Sequence, residues 1–191
     1  ELVHVPLIMQ WPRRLRAAQR LDTPVSTRRI FHTILDAAGE LPELPALDPV
    51  RVHNLTLMNT INGRDPEQGT AYSEIYPPLN FVQAIENRQP HLLAPFRCLS
   101  QRRAIVQATG GGALKLIQVD SVPDELFNLT ADPLELNNTL PMHPEETAVL
   151  NQAIDRQTAN LERQRETLSA GSEIELDKQL QQQLRGLGYI E

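Results

Sequence analysis

The chain of 191 residues has a single cysteine, Cys98. One cysteine excludes an internal disulfide framework and any zinc site built on several thiolates. Aromatic residues make up only 4 % of the chain, so we predict a core of aliphatic side chains. No apolar run approaches the ~20 residues of a membrane-spanning helix, and no signal peptide is visible. These absences leave the cellular compartment undetermined.

Positive charge is also scarce, since the formal net charge is −6. Basic residues occur as short groups without a stripe, which argues against nucleic-acid binding. The densest group is Arg13, Arg14 and Arg16 near the start of the chain. It is interpreted either as a solvated loop, which is the commoner case, or as a rim that attracts anions.

The sequence contains no recognisable catalytic or metal-binding constellation. The histidines His4, His32, His53, His91 and His143 are scattered, and no two have the i, i+4 spacing of a helical ligand pair. There is no phosphate-binding loop, because the glycines at 110–112 lack a following Lys-Ser/Thr, and there is no Gly-x-Ser-x-Gly elbow. We therefore assign no catalytic residue and no metal ligand.

The first 39 residues predict a strand, a loop and a helix. The short apolar run from Val5 to Met9 is typical of a strand buried on both faces of a sheet. Ser26 is placed to cap the following helix and Gly39 to end it. The apolar helix residues are predicted to pack against the sheet; they are Ile30, Phe31, Ile34, Leu35 and Ala38. A strand buried on both faces needs neighbours on both sides, so we expect this chain to be the later part of a larger protein.

Later segments predict a small antiparallel sheet and helices. Residues 40–69 are rich in proline and are predicted to be a long connection, and residues 70–76 a strand. Residues 102–108 and 113–119 flank three glycines and predict a hairpin, followed by a short strand at 126–129. Residues 144–168 predict a helix with the apolar stripe Leu150, Ile154, Leu161 and Leu168, and a last helix carries Leu176, Leu180 and Leu184.

The predicted fold class is α/β. We expect residues 1–95 to form the end of a large mixed sheet sandwiched by helices, within an α/β catalytic domain. Residues 96–191 are expected to form a small antiparallel sheet packed with the C-terminal helices.

Ordered motifs at both ends of the chain resemble the C-terminal portion of the sulfatases, an arylsulfatase-like family of the alkaline phosphatase superfamily. The motifs are residues 5–12 (VPLIMQWP), 22–26 (DTPVS) with 35–39 (LDAAG), 114–117 (LKLI) with 125–138 (ELFNLTADPLELNN), and 184–190 (LRGLGYI). The resemblance runs from end to end and is weakest over residues 40–96. Arg29 stands where the family usually has Asp, His32 where Pro is usual, and residues 52–58 lack the usual Gly-x-Ser-Leu; we interpret these as packing changes.

The resemblance implies a hydrolase of sulfate esters whose nucleophile is a formylglycine made from Cys or Ser in a Cys/Ser-x-Pro-x-Arg motif. A divalent cation, typically calcium, would assist it. In the family the nucleophile and the metal ligands precede the position that matches Val5. The resemblance therefore implies that this chain lacks them and is inactive alone.

Three residues were weighed as site candidates. Cys98 and Arg102 have the formylglycine spacing, but Ser100 replaces the motif's proline and the segment belongs to the C-terminal half, so Cys98 is not assigned as a nucleophile. Lys115 lies in the middle of a strand of the small sheet and is interpreted as structural. His4 precedes the first strand, where it either lines the substrate pocket of the parent enzyme or is a hydrogen-bonded histidine at the sheet edge.

Three functional hypotheses remain open. The first is a C-terminal piece of a sulfatase, whose partners would be the missing N-terminal catalytic part and, in the parent, a small sulfate ester. The second is a piece of a phosphodiesterase or phosphonate monoester hydrolase of the same superfamily. The third is a non-catalytic binding or assembly module. Self-association through a cut sheet edge is compatible with any of them.

Overall fold

In a computed structural model of the chain, residues 5–39, 53–120, 122–167, 181–182 and 185 are described. The helices described in full are α1 Arg28–Ala38, α2 Leu57–Ile61, α3 Leu79–Arg88 and α4 Pro144–Thr167, and residues 53–55, 181–182 and 185 are also helical. Four strands occur in the described part of the chain: β1 Thr70–Ile75, β2 Arg102–Thr109, β3 Gly112–Val119 and β4 Glu125–Asn128. Short 3₁₀ turns occupy Pro90–Leu92 and Leu140–Met142.

The four strands form one antiparallel sheet in the order β1-β2-β3-β4. The β2–β3 hairpin turns at the predicted glycines, and Gly112 has φ +130°, a conformation that side chains rarely adopt. The chain is therefore mixed α/β with a small antiparallel sheet and a long C-terminal helix, which confirms the predicted fold class. The small sheet was predicted to contain the hairpin and one short strand. It has a further strand, because residues 70–75 pair with β2 and form one edge of the sheet.

One face of the sheet carries the hydrophobic core. Its buried cluster is aliphatic, as the scarcity of aromatic residues predicted, and consists of Ile105, Leu114, Leu116, Leu126, Leu150 and Ile154. Leu150 and Ile154 come from α4, so the predicted stripe of this helix covers the sheet at these two positions. Strand alternation puts Leu114 and Leu116 on this face and turns Lys115, between them, to the opposite face.

The first segment differs from its prediction. Residues 5–9 form no strand and lie outside the four-stranded sheet, and Ile8 is 92 % exposed. A strand is held by hydrogen bonds to a neighbouring strand, and in the described part of the chain none lies beside this segment.

Helix α1 also differs from its prediction, because it is turned the other way. Its buried residues are Arg29 and Thr33, whereas Phe31 is 51 % and Ile34 62 % exposed. Ser26 is buried and does not cap the helix. Its Oγ instead accepts a hydrogen bond (3.5 Å) from the backbone N–H of Tyr72 in the edge strand β1. Gly39 ends the helix with φ +70°, as predicted. Polar residues thus decide which side of α1 faces the molecule.

Contacts between Cα atoms divide the chain into residues 1–159 and residues 160–191. The first unit contains the sheet and its core. In the second unit, Arg163 donates a hydrogen bond to Asn160 and Arg165 pairs with Glu162 at 3.8 Å, both along one helix. None of the helices in the described ranges is long and apolar enough to span a membrane. The predicted boundary near residue 95 stays a prediction.

Candidate functional site

An open groove of about 730 Å³ lies on the sheet face opposite the hydrophobic core. Its floor includes Ala71, Val106 and Lys115, which are directly paired across β1, β2 and β3. One wall is helix α2, through Leu57, Thr60 and Ile61, and another is residues 5–25, which we call the N-terminal arm. The volume falls within the ~300–1,000 Å³ of small-molecule sites.

Lys115 forms the most buried ion pair of the groove. Lys115 is only 5 % exposed, and its Nζ lies 2.8 Å from Oε1 and 2.7 Å from Oε2 of Glu135. Burying an ammonium group is costly unless a counter-charge receives it, and Glu135 supplies that charge. Glu135 has φ +56°, a left-handed conformation uncommon for a residue with a side chain. The pair therefore holds Lys115 in place.

The loop that carries Glu135 is fastened by its own side chains. Asn128 Oδ1 accepts hydrogen bonds from the N–H groups of Thr130 and Ala131, and Asp132 Oδ2 accepts one from Asn137. Asn138 Oδ1 accepts from the N–H of Leu126 in β4. Such local bonds favour turns over helix or strand. They set the position of Glu135 opposite Lys115.

Behind the α2 wall lies a second charged cluster, centred on Arg29. Its guanidinium is fully buried and donates to the carbonyl oxygens of Leu55 (2.9 Å) and Thr56 (3.2 Å). It also donates to Thr60 Oγ1 and to Asp65 Oδ1, each at 2.6 Å. A planar guanidinium with several N–H donors suits this position better than any other cation.

Two carboxylates balance the two arginines of this cluster. Asp65 is partly buried, which raises its pKa, but hydrogen bonds from the Gly69 N–H, Arg29 and Thr60, with the charge of Arg29, outweigh burial and lower the pKa below its usual value. Glu67 pairs with Arg28 through Oε1, and its Oε2 lies 3.5 Å from Arg29 Nη1. This network ties α1 to α2 and to the chain entering β1.

The arginines of the N-terminal arm have separate environments. Arg14 lies over the ring of Trp11, with 5.4 Å between its Cζ and the ring centroid, and Arg20 Nε pairs with Asp22 Oδ1 at 3.0 Å. Arg16 lines the groove, is exposed and has no ion pair with any described residue. Both interpretations of this group stay predictions, and Arg16 is its member that lines the groove.

Of the described candidates, Lys115 lines the groove and Cys98 does not. His4 lies outside the described residues. Cys98 is partly buried at the end of a turn, where its backbone N–H bonds Leu93, and Arg102 donates to the backbone of Phe96 and Arg97. Within the described ranges, no group of three His, Cys, Asp or Glu side chains could hold a metal ion.

The groove and its ion pair were missed by sequence reasoning. The sequence indicates a structural role for Lys115 but not its partner, because Glu135 lies 20 residues further along the chain. Arg29 was noticed only as a departure from a motif. The available signal was its four-residue spacing from Thr33, which places two polar groups on one helical face.

No protein-family profile, no curated protein and no solved structure matches this chain.

Proposed function

We propose that this chain is the C-terminal portion of a sulfatase-like hydrolase of sulfate esters. Its part in that enzyme is to complete the fold and to wall the substrate pocket, while the nucleophile and the metal ligands come from the preceding part. The order and spacing of the sulfatase-like motifs are the basis of the proposal.

The Lys115–Glu135 pair is the structural observation that supports it most. Lys115 belongs to the motif at 114–117 and Glu135 to the motif at 125–138, and their side chains meet at 2.7 Å. Two segments noticed separately in the sequence thus form one unit, with the lysine of one satisfied by the glutamate of the other.

The apolar residues that remain exposed are a second support. Ile8, Phe31 and Ile34 are 92 %, 51 % and 62 % exposed. Ile8 lies in the segment predicted to be a strand of a larger sheet, and the other two lie in the helix predicted to pack against that sheet. Exposed apolar patches commonly mark surfaces that another element or partner covers. In the proposed enzyme, the N-terminal catalytic part covers them.

The chemistry of the proposed enzyme lies outside the described residues. A formylglycine and calcium, or another divalent cation, are implied for the parent by the resemblance, and the described residues of this chain offer no ligand set that fits such a cation. We therefore assign no reaction step to this chain. His4 remains the one proposed pocket residue.

Two other functions remain as alternatives. A phosphodiesterase or phosphonate monoester hydrolase would use the same scaffold. A non-catalytic assembly module is favoured by the outward apolar side of α1, which suits a partner surface.

The encoded residues upstream of Glu1 provide the test. A Cys/Ser-x-Pro-x-Arg motif followed by Asp and Asn metal ligands supports the sulfatase, and a Thr at the nucleophile position supports phosphoryl transfer. Absence of both would overturn the proposal. As a biochemical check, the chain alone should not hydrolyse 4-nitrophenyl sulfate with or without calcium, because it supplies no nucleophile; metal-dependent turnover would contradict its assignment as the non-catalytic portion.

A further inference from the structure

We propose that the groove between the N-terminal arm and the sheet binds an amphipathic monoanion, an apolar chain with a single acidic head. The acidic head lies between Lys115 and Arg16, and the apolar chain lies along the floor of the sheet. This inference rests on the groove alone and not on the sulfatase proposal.

The floor of the groove suits an apolar chain. Ala71 and Val106 present small or branched apolar side chains in a row across two strands, and Leu57 and Leu129 flank them. Ligand sites commonly combine a mostly apolar lining with a few polar groups that fix orientation. A hydrocarbon chain on this floor would contact these apolar side chains.

Lys115 offers a hydrogen bond to such a ligand. A lysine ammonium has three N–H donors, and two of those of Lys115 reach the two oxygens of Glu135. In the part of the chain that the structure describes, Lys115 donates to no other group. Because this residue lines the groove, its third donor is left for an acceptor oxygen of the ligand.

The charge of the lining selects one negative charge. Among the described residues, five charged ones line the groove, namely Arg16, Arg20, Asp22, Lys115 and Glu135. Arg20 pairs with Asp22 and Lys115 with Glu135, so Arg16 is the one lining cation without an ion pair among the described residues. Among these described residues, one cation is therefore left to match an anion, and a second acidic group would find no further counter-charge there.

The test uses decanoate as the probe and isothermal titration calorimetry as the measurement, below the concentration at which decanoate forms micelles. We expect saturable binding of one decanoate per chain and weaker binding of 1-decanol, which has the same chain without the charge. Arg16→Gln should weaken decanoate binding about threefold, as for an exposed ion pair. The matched control is Arg13→Gln, because Arg13 is exposed and does not line the groove.

The double variant Lys115→Met with Glu135→Gln tests the floor. It removes the donor without leaving a buried carboxylate, and we expect about tenfold weaker decanoate binding, as for loss of a hydrogen bond to a charged group. Circular dichroism confirms that each variant is folded. If the double variant is unfolded, the proposal is decided by comparing the decanoate affinity of Arg16→Gln with that of Arg13→Gln. Absence of saturable binding, equal affinity for 1-decanol, or equal losses in Arg16→Gln and Arg13→Gln would each overturn the proposal.

Discussion

Arg29 Nη1 lies 2.6 Å from Asp65 Oδ1, and this contact joins the first helix to a loop 36 residues further along the chain. The guanidinium is fully buried, so its charge depends on the groups that surround it. Helix α1 therefore packs against the molecule through an arginine, while its apolar side chains face outward.

Arg29→Met should be strongly destabilising. It keeps an unbranched side chain but leaves Asp65 and Glu67 without their buried counter-charge, and breaking a buried pair in this way costs about 3–5 kcal/mol. Urea unfolding measures the loss. The control is Arg88→Met, on the exposed end of α3, which should stay within about 0.5 kcal/mol of the unchanged chain. Equal effects of the two substitutions would contradict the buried network.

The stability of the chain should depend on Asp65 at acidic pH. Its pKa is lowered in the folded state, so between the folded and unfolded pKa values the unfolded state binds more protons. The stabilisation of the folded state by Asp65 is therefore complete above about pH 4, the usual pKa of an aspartate. It is lost as the pH falls through the pKa of Asp65 in the folded state.

The measurement is the difference in unfolding free energy between the unchanged chain and Asp65→Asn across this range. It should shrink as the pH falls. Glu146, whose pKa is lowered by hydrogen bonds from its own backbone and from His143, is present in both proteins and cancels. A difference that does not vary with pH would show that the hydrogen bonds of Asp65 do not favour its charged form.

Lys115 and Glu135 should be energetically coupled. Lys115→Met leaves the Glu135 carboxylate without the ammonium group of Lys115 and should lower the unfolding free energy. Adding Glu135→Gln should recover part of this lost stability, and for groups in contact the coupling energy is about 0.5–3 kcal/mol. The control cycle is Arg20→Gln with Asp22→Asn, an exposed pair for which coupling should be about 0–1 kcal/mol. Urea unfolding of all variants gives both couplings. Equal values would mean that burial of Lys115 adds nothing.

The orientation of α1 can be tested with two neighbouring residues. Thr33→Val keeps the side-chain shape but removes a hydroxyl that donates to Arg29 O (2.7 Å) and accepts from Leu57 N (2.9 Å), so it should cost about 1–3 kcal/mol. Ile34→Thr is on the exposed side and should change stability by no more than about 0.5 kcal/mol. Thermal or urea unfolding in which Ile34→Thr is the more harmful would show that the apolar side faces inward.

The β2–β3 turn should tolerate alanine at one glycine and not at the next. A Cβ at Gly112 would lie 2.1 Å from Thr130 Oγ1, and its φ of +130° is strained for any other residue, so Gly112→Ala should cost about 1–3 kcal/mol. Gly111→Ala meets nothing within 4 Å and serves as the control. If the two substitutions lower the unfolding free energy equally, Thr130 does not lie against Gly112.

Much of the small sheet could be predicted from the sequence because its signals are local. The turn glycines identified the hairpin, and the aliphatic composition matched the core of Ile105, Leu116 and Leu126. The strand at residues 70–75 was found as an element, but its place beside β2 was not, because strand pairing depends on residues far apart in sequence.

The groove could not be predicted for the same reason. Lys115 and Glu135 meet only after β3 and the following loop are folded, and Arg29 finds its partners on two other segments. The predicted strand at residues 5–9 was wrong for the described structure, since an apolar run favours a strand only where another strand can bond to it.

The sequence by itself determined the local elements: the glycine turn, the alternating strands, the end of α1 at Gly39 and the long helix from Pro144, each set by φ angles and by the period of apolar residues. The tertiary structure alone decided which side of α1 is inside, whereas the apolar stripe of α4 already indicated its inner side. In α1 the buried side is the one that carries Arg29, because a buried charge must lie where several hydrogen-bond acceptors meet. Leaving isoleucines exposed costs far less free energy than burying an unpaired guanidinium.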